Sequence, residues 1–310
     1  MIDSGKWKKS IYKYLNDHQH QRGKDVSAQT LRTYAIDIIQ YLQYAETHVD
    51  DKIAMYSLEE SFLKYLAWDY SYFTICKKIQ AIRFYFWVKD ETHGFSGQNV
   101  KACLMNIKRM KQLKQKQAKA FSLSYFKKVL DGLQEDNLRN IRDRALLLVG
   151  FAAAMRRSEL LALKKDDVIL QDLNLLLNIS TSKTNQYGKQ EYKALFSAEN
   201  QCYCPVKAVN DLLRVIPKDH LFLFSRINRN GKLASASLSA RGLDYIITKL
   251  LGEEYSSHSM RVSFVTIAKK NGCLDSEIMQ QTNHKNANMI LRYTQIHDKT
   301  EHNAARKLGL

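Results

Sequence analysis

Apolar residues recur at helical spacing along most of the chain. Between residues 28 and 46, Leu31, Tyr34, Ile38, Leu42 and Ala45 fall three or four apart, which predicts an amphipathic helix with Ser27 as its cap. Ser57 and Glu60 precede Phe62, Leu63 and Leu66 at the spacing of a capping box. A third helix is expected from about Thr74 to Val88, striped by Ile75, Ile79, Ile82 and Phe86. Lys77, Lys78 and Arg83 lie off that stripe, where phosphate contacts on an exposed face would lie. A fourth helix begins near Asn99, so the first part of the chain reads as a small helical bundle.

The pattern changes after KRMKQLKQKQAKAF, residues 108–121, a basic run without an acid. It reads as an interdomain linker, and Lys108, Arg109 and Lys111 in it are candidate DNA contacts. The expected divisions are a helical domain over 1–112, a basic linker over 113–120 and a second domain over 121–310. DRALLLVGFAAAM is nearly unbroken in its apolarity, and its length suits a buried helix rather than a membrane span. LNLLLNI (173–179) and EYKALF (191–196) flank a polar turn at Lys183–Gly188 and read as two strands of a hairpin. From Pro205 onward the pattern is mostly helical. The fold class is therefore mostly α with a small antiparallel β-sheet in the C-terminal domain. Only 2 prolines and 12 glycines interrupt the chain, which fits long helices.

Charge narrows the partners. The net charge is +17, from 48 Lys+Arg against 31 Asp+Glu, and it favours nucleic acid first and an anionic membrane surface second. The 5 cysteines are odd in number and scattered; Cys202 and Cys204 form C-x-C with no second pair at zinc-ligand spacing. Free thiols in a reducing cytoplasm are the simplest account, and no metal or other cofactor is expected. MIDSGKWKKS lacks an apolar signal core and no run is long enough to span a bilayer, so the partner is expected inside the cell, in the cytoplasm with the nucleoid.

The chemistry lies in an ordered, dispersed set: Arg156, Lys183, His258, Arg261, His284 and Tyr293. Two guanidiniums can grip a phosphate in bidentate fashion, a lysine and two imidazoles can move protons, and a phenol can attack. Arg157 neighbours Arg156, but on a helix it would point about 100° away. Glu159 lies three residues past Arg156, on the same helical face, where it could orient an arginine or a histidine. His258 and Arg261 share a face by the same spacing. Taken singly, Arg156 with Glu159 reads as a surface ion pair, Lys183 as a solvated turn lysine, His284 as a packing histidine and Tyr293 as a core tyrosine.

Together they resemble the tyrosine recombinases, or phage-type integrases. AMRRSELLALKKDDV is similar to that family's first arginine box, SSHSMRVSFVTIAKKNG to its second and TNHKNANMILRYTQ to its third, with Tyr293 nine residues after His284. The specific resemblance covers about 120–300, and the N-terminal bundle with TLRTYAIDIIQYL resembles the family's core-binding domain more loosely. Two positions depart from the pattern: Ala154 and Asn283 stand where relatives often carry glycine.

The resemblance implies a C-shaped, two-domain DNA clamp with a Cre-like or Xer-like layout. Arg156 and Arg261 would bind the scissile phosphate, and Tyr293 would attack it to leave a 3′-phosphotyrosyl link and a free 5′-hydroxyl. Lys183 would protonate that leaving oxygen, His258 would serve as base and phosphate ligand, and His284 would donate to a phosphate oxygen. Neither metal nor ATP is implied. The implied partner is double-stranded DNA carrying an inverted-repeat site, bound by a homotetramer that exchanges C-terminal helices and passes through a Holliday junction. The competing readings are a type IB topoisomerase, which shares the nucleophile, and a catalytically silent DNA-binding regulator. A membrane-surface protein would explain the charge but not the boxes.

Overall fold

The computed structural model describes residues 4–19, 26–48, 57–111, 117–133, 137–179 and 191–293. The chain divides into two compact units, Met1–Gln115 and Lys116–Leu310.

The first unit contains helices α1 (Ser4–His18), α2 (Ala28–His48), α3 (Leu58–Asp69), α4 (Tyr72–Lys89) and α5 (Gln98–Met110). The capping box expected at the start of α3 is present. Ser57 Oγ accepts from Glu60 N at 3.3 Å, and Glu60 Oε2 accepts from Ser57 N at 3.2 Å. Helix α1 was not foreseen; of its side chains whose burial is described, Ile11 and Leu15 are buried.

Helix α4 lies between two apolar clusters. Ile75, Ile79 and Ile82 pack with Phe62, Leu66, Phe95 and Val100, while Ala81, Phe84 and Val88 pack with Leu15, Leu31, Ile38 and Ile39. A helix buried on two faces has no single polar side. This corrects the expectation for Lys78, which is not on an exposed face. Its ammonium sits 2.7 Å from Asp37 Oδ1 and 2.8 Å from Gln40 Oε1, and lies 4.5 Å from the centre of the Tyr70 ring. Arg83 is half-buried and donates to the carbonyl of Phe95. Lys77 and Arg109 are exposed, whereas Lys108 and Lys111 are half-buried.

The second unit is helical around a small sheet. It runs α6 (Leu123–Asp131), α7 (Leu138–Ala152), α8 (Arg157–Ala162), β1 (Val168–Leu170), β2 (Asn174–Asn178), β3 (Tyr192–Phe196) and α9 (Pro205–Val215). There follow β4 (Ser225–Ile227), β5 (Leu233–Ser237), α10 (Ala240–Leu251), α11 (Ser257–Lys270), α12 (Asp275–Thr282) and α13 (Asn288–Tyr293). Strands β1, β2 and β3 form an antiparallel sheet in that order, with Leu175 opposite Leu195 and Leu177 opposite Lys193. The expected hairpin strands are there; β1 and the antiparallel β4–β5 pair are additions that the mostly helical reading missed.

Helix α7 is the apolar segment singled out in the sequence, and residues 141–150 of it are all buried. Where it meets α11, a Cβ on Gly150 would lie 2.8 Å from Met260 Sδ, so a larger residue there would make the Met260 side chain shift. Phe121, at the end of the basic run, docks on α11 through its N–H, 2.8 Å from Ser263 Oγ.

Candidate active site

Two helix ends build the site. Helix α7 stops at Ala152, and Ala154 turns the chain with a positive φ of 46°. Met155 N donates back to Gly150 O at 3.1 Å, which is a Schellman closure. Helix α12 stops at Thr282, Asn283 adopts the left-handed region at φ 52°, and His284 N donates back to Met279 O at 3.3 Å. The two departures from glycine noted in the sequence are these two left-handed positions. Asparagine tolerates that conformation; alanine is strained in it.

The first turn delivers Arg156. It is not a helical residue, as the spacing suggested, but the extended residue that caps α8. Glu159, buried beneath it, accepts from Arg156 N at 3.0 Å and pairs with Arg156 Nη1 at 2.5 Å. Burial works to raise the Glu159 carboxyl pKa. The Arg156 N–H, the nearby Lys193 charge and the Arg156 guanidinium outweigh it and hold the pKa below the usual carboxylate range. Arg157 points elsewhere, exposed and paired with Asp244 at 3.0 Å.

Arg261 leaves α11 beneath both ends and is 1% exposed. Nη1 donates to Ala154 O at 2.7 Å, and Nη2 donates to Thr282 O. Arg156 Nη2 reaches Asn283 O at 3.3 Å. Each terminal guanidinium nitrogen of Arg261 keeps a second N–H for another acceptor. Desolvation and then the Arg156 charge lower its pKa to about 10, opposed by Glu159 and Tyr293. Arg261 remains charged at neutral pH.

The second turn delivers His284. Its Nδ1 lies 3.0 Å from Thr282 Oγ1, whose own proton goes to Ile278 O at 2.6 Å. This network assigns the hydrogen to Nδ1 and leaves Nε2 as an acceptor in the neutral ring. Burial, then Arg261, Arg156, Lys193 and His258, push the imidazole pKa down to about 3. His258, on the first turn of α11, is also lowered, by burial first and then by Arg261 and Arg156. Both rings are therefore neutral at neutral pH.

Tyr293 ends α13 and is half-buried. His284 stacks on its ring at 5.2 Å and 18°, and His258 meets it edge-on at 5.1 Å and 70°. Thr266 Oγ1 anchors its backbone carbonyl at 3.1 Å. Five residues of the sequence-derived set, Arg156, His258, Arg261, His284 and Tyr293, thus share one site with Glu159. Lys183 lies outside the described residues.

Lys193 was not picked out from the sequence. It is 1% exposed, and its ammonium lies 2.8 Å from Ala153 O and 2.6 Å from Gln281 O. Burial lowers its pKa to about 7; Arg261 and Arg156 add to that, and Glu159 and Glu191 oppose it. A signal was available: in β3 the inward positions alternate, and Lys193 shares the inward face with Leu195. Among the described residues no group of three or more His, Cys, Asp or Glu could hold a metal ion, and no helix is long and apolar enough to cross a membrane.

Known proteins are similar to this chain in sequence and in fold. The chain is 27% identical over 302 residues to the integrase/recombinase xerD homolog of Selenomonas ruminantium, covering 92% of this chain and 86% of that protein. It is 27% identical over 295 residues to the tyrosine recombinase XerC of Staphylococcus aureus strain JH9, covering 91% and 90%. In fold it is similar to the site-specific recombinase XerH, solved bound to a palindromic difH substrate. The TM-score is 0.64 at 19% identity, over 99% of this chain and 85% of that one. Residues 111–300 match the model of the phage integrase family. With more than half its length in that match, the chain belongs to the phage integrase family, the tyrosine recombinases, which break and rejoin DNA at specific sites through a phosphotyrosyl intermediate without metal or ATP.

Proposed function

We propose that Tyr293 is the nucleophile of this recombinase and that Arg156, Lys183, His258, Arg261 and His284 serve it. The observation that carries this assignment is the Tyr293 ring in contact with the imidazoles of both His258 and His284, next to Arg261. A phosphodiester is an anion that gains charge on its equatorial oxygens during attack, so prearranged cations are the main catalytic need. Arg156 and Arg261 hold the scissile phosphate. The Tyr293 oxygen attacks phosphorus as its proton passes to His258, and the bond to the 5′-oxygen breaks. Lys183 protonates that oxygen. The product is a 3′-phosphotyrosyl link and a 5′-hydroxyl, and a second 5′-hydroxyl reverses the step to join a new strand.

His284 adds a requirement. With Nδ1–H given to Thr282, its Nε2 donates to a phosphate oxygen only after taking up a proton. Burial first, and then Arg261, Arg156 and Lys193, depress its pKa; an arriving phosphate offsets the part due to the cations and so favours proton uptake. In this reading Lys183, which lies between β2 and β3 in the sequence, supplies the leaving-group proton.

The remaining expectations belong to this reading. Residues 1–112 form the core-binding domain, 113–120 the basic linker and 121–310 the catalytic domain. The target is duplex DNA with an inverted-repeat site, engaged by a tetramer that exchanges C-terminal helices; the residues after Tyr293 that would do so lie outside the described ones. The protein then works at the nucleoid in the cytoplasm. Lys77, Lys108, Arg109 and Lys111 are left as candidate phosphate contacts of the first unit.

The test uses a nicked suicide duplex bearing the site recovered by selection from a random-sequence duplex pool. Wild-type protein should form a covalent adduct in EDTA without nucleotide, and Tyr293→Phe should bind this duplex but form none. An adduct that survives in Tyr293→Phe, or a strict need for magnesium in cleavage, would reject the assignment.

A further inference from the structure

Lys193 lies outside the set of residues that the phosphotyrosyl mechanism uses, yet it is among the largest fully buried side chains of the molecule. Burying a lysine is costly unless its donors are satisfied. Here they are satisfied by two backbone carbonyls that belong to different elements. Ala153 O closes α7, and Gln281 O lies in the last turn of α12. The last carbonyls of a helix have no partner within it and carry the negative end of its dipole. Lys193 therefore holds two such ends to one point.

The positions of those carbonyls matter more than their number. Ala153 stands three residues before Arg156, and Gln281 stands three residues before His284. Each carbonyl sits at the root of the turn that aims one phosphate-binding residue. Other bonds in the same layer repeat the link. Gln281 Nε2 donates to Ala152 O at 2.8 Å and to Ala194 O, next to Lys193, at 3.1 Å. Glu191, two residues before Lys193, accepts from Asn283 Nδ2 at 2.8 Å. Strand β3 is thereby fixed to the end of α12, and Lys193 carries the link across to α7. Two N–H groups suffice for the two carbonyls, so the tie holds in either protonation state.

We propose that Lys193 is a positioning residue for DNA cleavage: by binding Ala153 O and Gln281 O together, it sets the separation between Arg156 and His284 around the scissile phosphate. The inference rests on the phosphotyrosyl reading of the site. It assigns Lys193 no contact with DNA, since the side chain is enclosed by protein. A misplacement of about 1 Å in such a site costs on the order of 100-fold in rate.

The experiment compares wild type, Lys193→Met, Lys193→Arg and Tyr293→Phe on the same suicide duplex. Single-turnover adduct formation is followed at saturating protein, beside duplex affinity and far-UV circular dichroism. Methionine keeps the apolar stem and removes the donors; arginine restores donors. Lys193→Met should retain its helical signal and its affinity while the adduct rate falls about 100-fold. Lys193→Arg should recover most of that loss. The proposal is overturned by a wild-type rate in folded Lys193→Met, by a loss confined to affinity, by equal losses in both variants, or by a Lys193→Met protein unfolded at every temperature. Absence of an adduct in the wild type, or its presence in Tyr293→Phe, would overturn the functional reading and this inference with it. Normal cleavage by Lys193→Met overturns this inference alone.

Discussion

Each unit buries a lysine, and the two are solved differently. In the first unit Lys78 meets the carboxylate of Asp37 at 2.7 Å, so charge is matched by charge. In the second, the partners of Lys193 among the described residues are backbone carbonyls, and the charges nearest it include Arg156 and Arg261 as well as Glu159 and Glu191. A matched pair serves packing and needs nothing further. A site where cations crowd one another and depress each other's pKa is built for an anion that arrives later. The contrast separates a basic residue paired within the fold from one proposed to position the phosphate-binding residues, which net charge alone could not do.

The contrast can be broken most forcefully at Lys78. Lys78→Met strands Asp37 without its cation, and removing one partner of a buried pair costs about 3–5 kcal/mol. Urea unfolding of the first unit should show that loss. DNA cleavage by protein that is still folded should be unchanged, and a selective loss of DNA affinity would restore Lys78 as a phosphate contact.

Arg156→Ala and Arg261→Ala come next. Losing a prearranged donor to a developing oxyanion costs roughly 3–4 kcal/mol, or 10²–10³ in rate. Arg157→Ala removes only an exposed pair with Asp244 and should change cleavage by less than about 1 kcal/mol. Equal losses at Arg157 would show that the wrong arginine has been placed on the phosphate.

A smaller effect is expected at Ala154. Its φ of 46° costs a residue with a Cβ roughly 1–2 kcal/mol, which glycine avoids. Ala154→Gly removes that strain but frees the unfolded chain by about 0.4–1 kcal/mol, so the net gain should be about 1 kcal/mol or less. A raised melting temperature checks it, and a lowered one would show that the turn is unstrained.

The last effect is one of pH. The Lys193 pKa falls from an ordinary 10.5 to about 7 in the folded protein. Between those values the unfolded chain binds more protons, so the free energy of unfolding rises with pH. This contribution is fully present above the unfolded value and is lost as pH falls towards 7. Denaturation measured across that window should show the slope in wild type and a flatter one in Lys193→Met. Identical slopes would mean that Lys193 keeps an ordinary pKa.

Much of this was legible in the sequence because it is local. Ser57 and Glu60 form their capping box from residues three apart, and α7 announces itself by an apolar run. The ordered set of Arg156, His258, Arg261, His284 and Tyr293 was legible through the spacing of its three boxes. What failed was tertiary. Lys78 looked exposed because a single stripe was read on α4, whereas two clusters pack against that helix. Arg156 looked helical because its neighbours are; the turn at Ala154 places it one residue outside α8. Strands of three residues, such as β1 and β4, are too short for alternation to register. Lys193 gave a faint signal as a charged residue on the face of Leu195, but its two carbonyl partners lie 40 and 88 residues away.

The central claim is that the molecule cleaves DNA with Tyr293. The most direct measurement is digestion of the trapped DNA–protein adduct and mass spectrometry of the DNA-linked peptide. The account predicts a single modified residue, Tyr293, bonded to the 3′-phosphate of the cleaved strand. Attachment at another tyrosine, such as Tyr255, or through a 5′-phosphate, would contradict it.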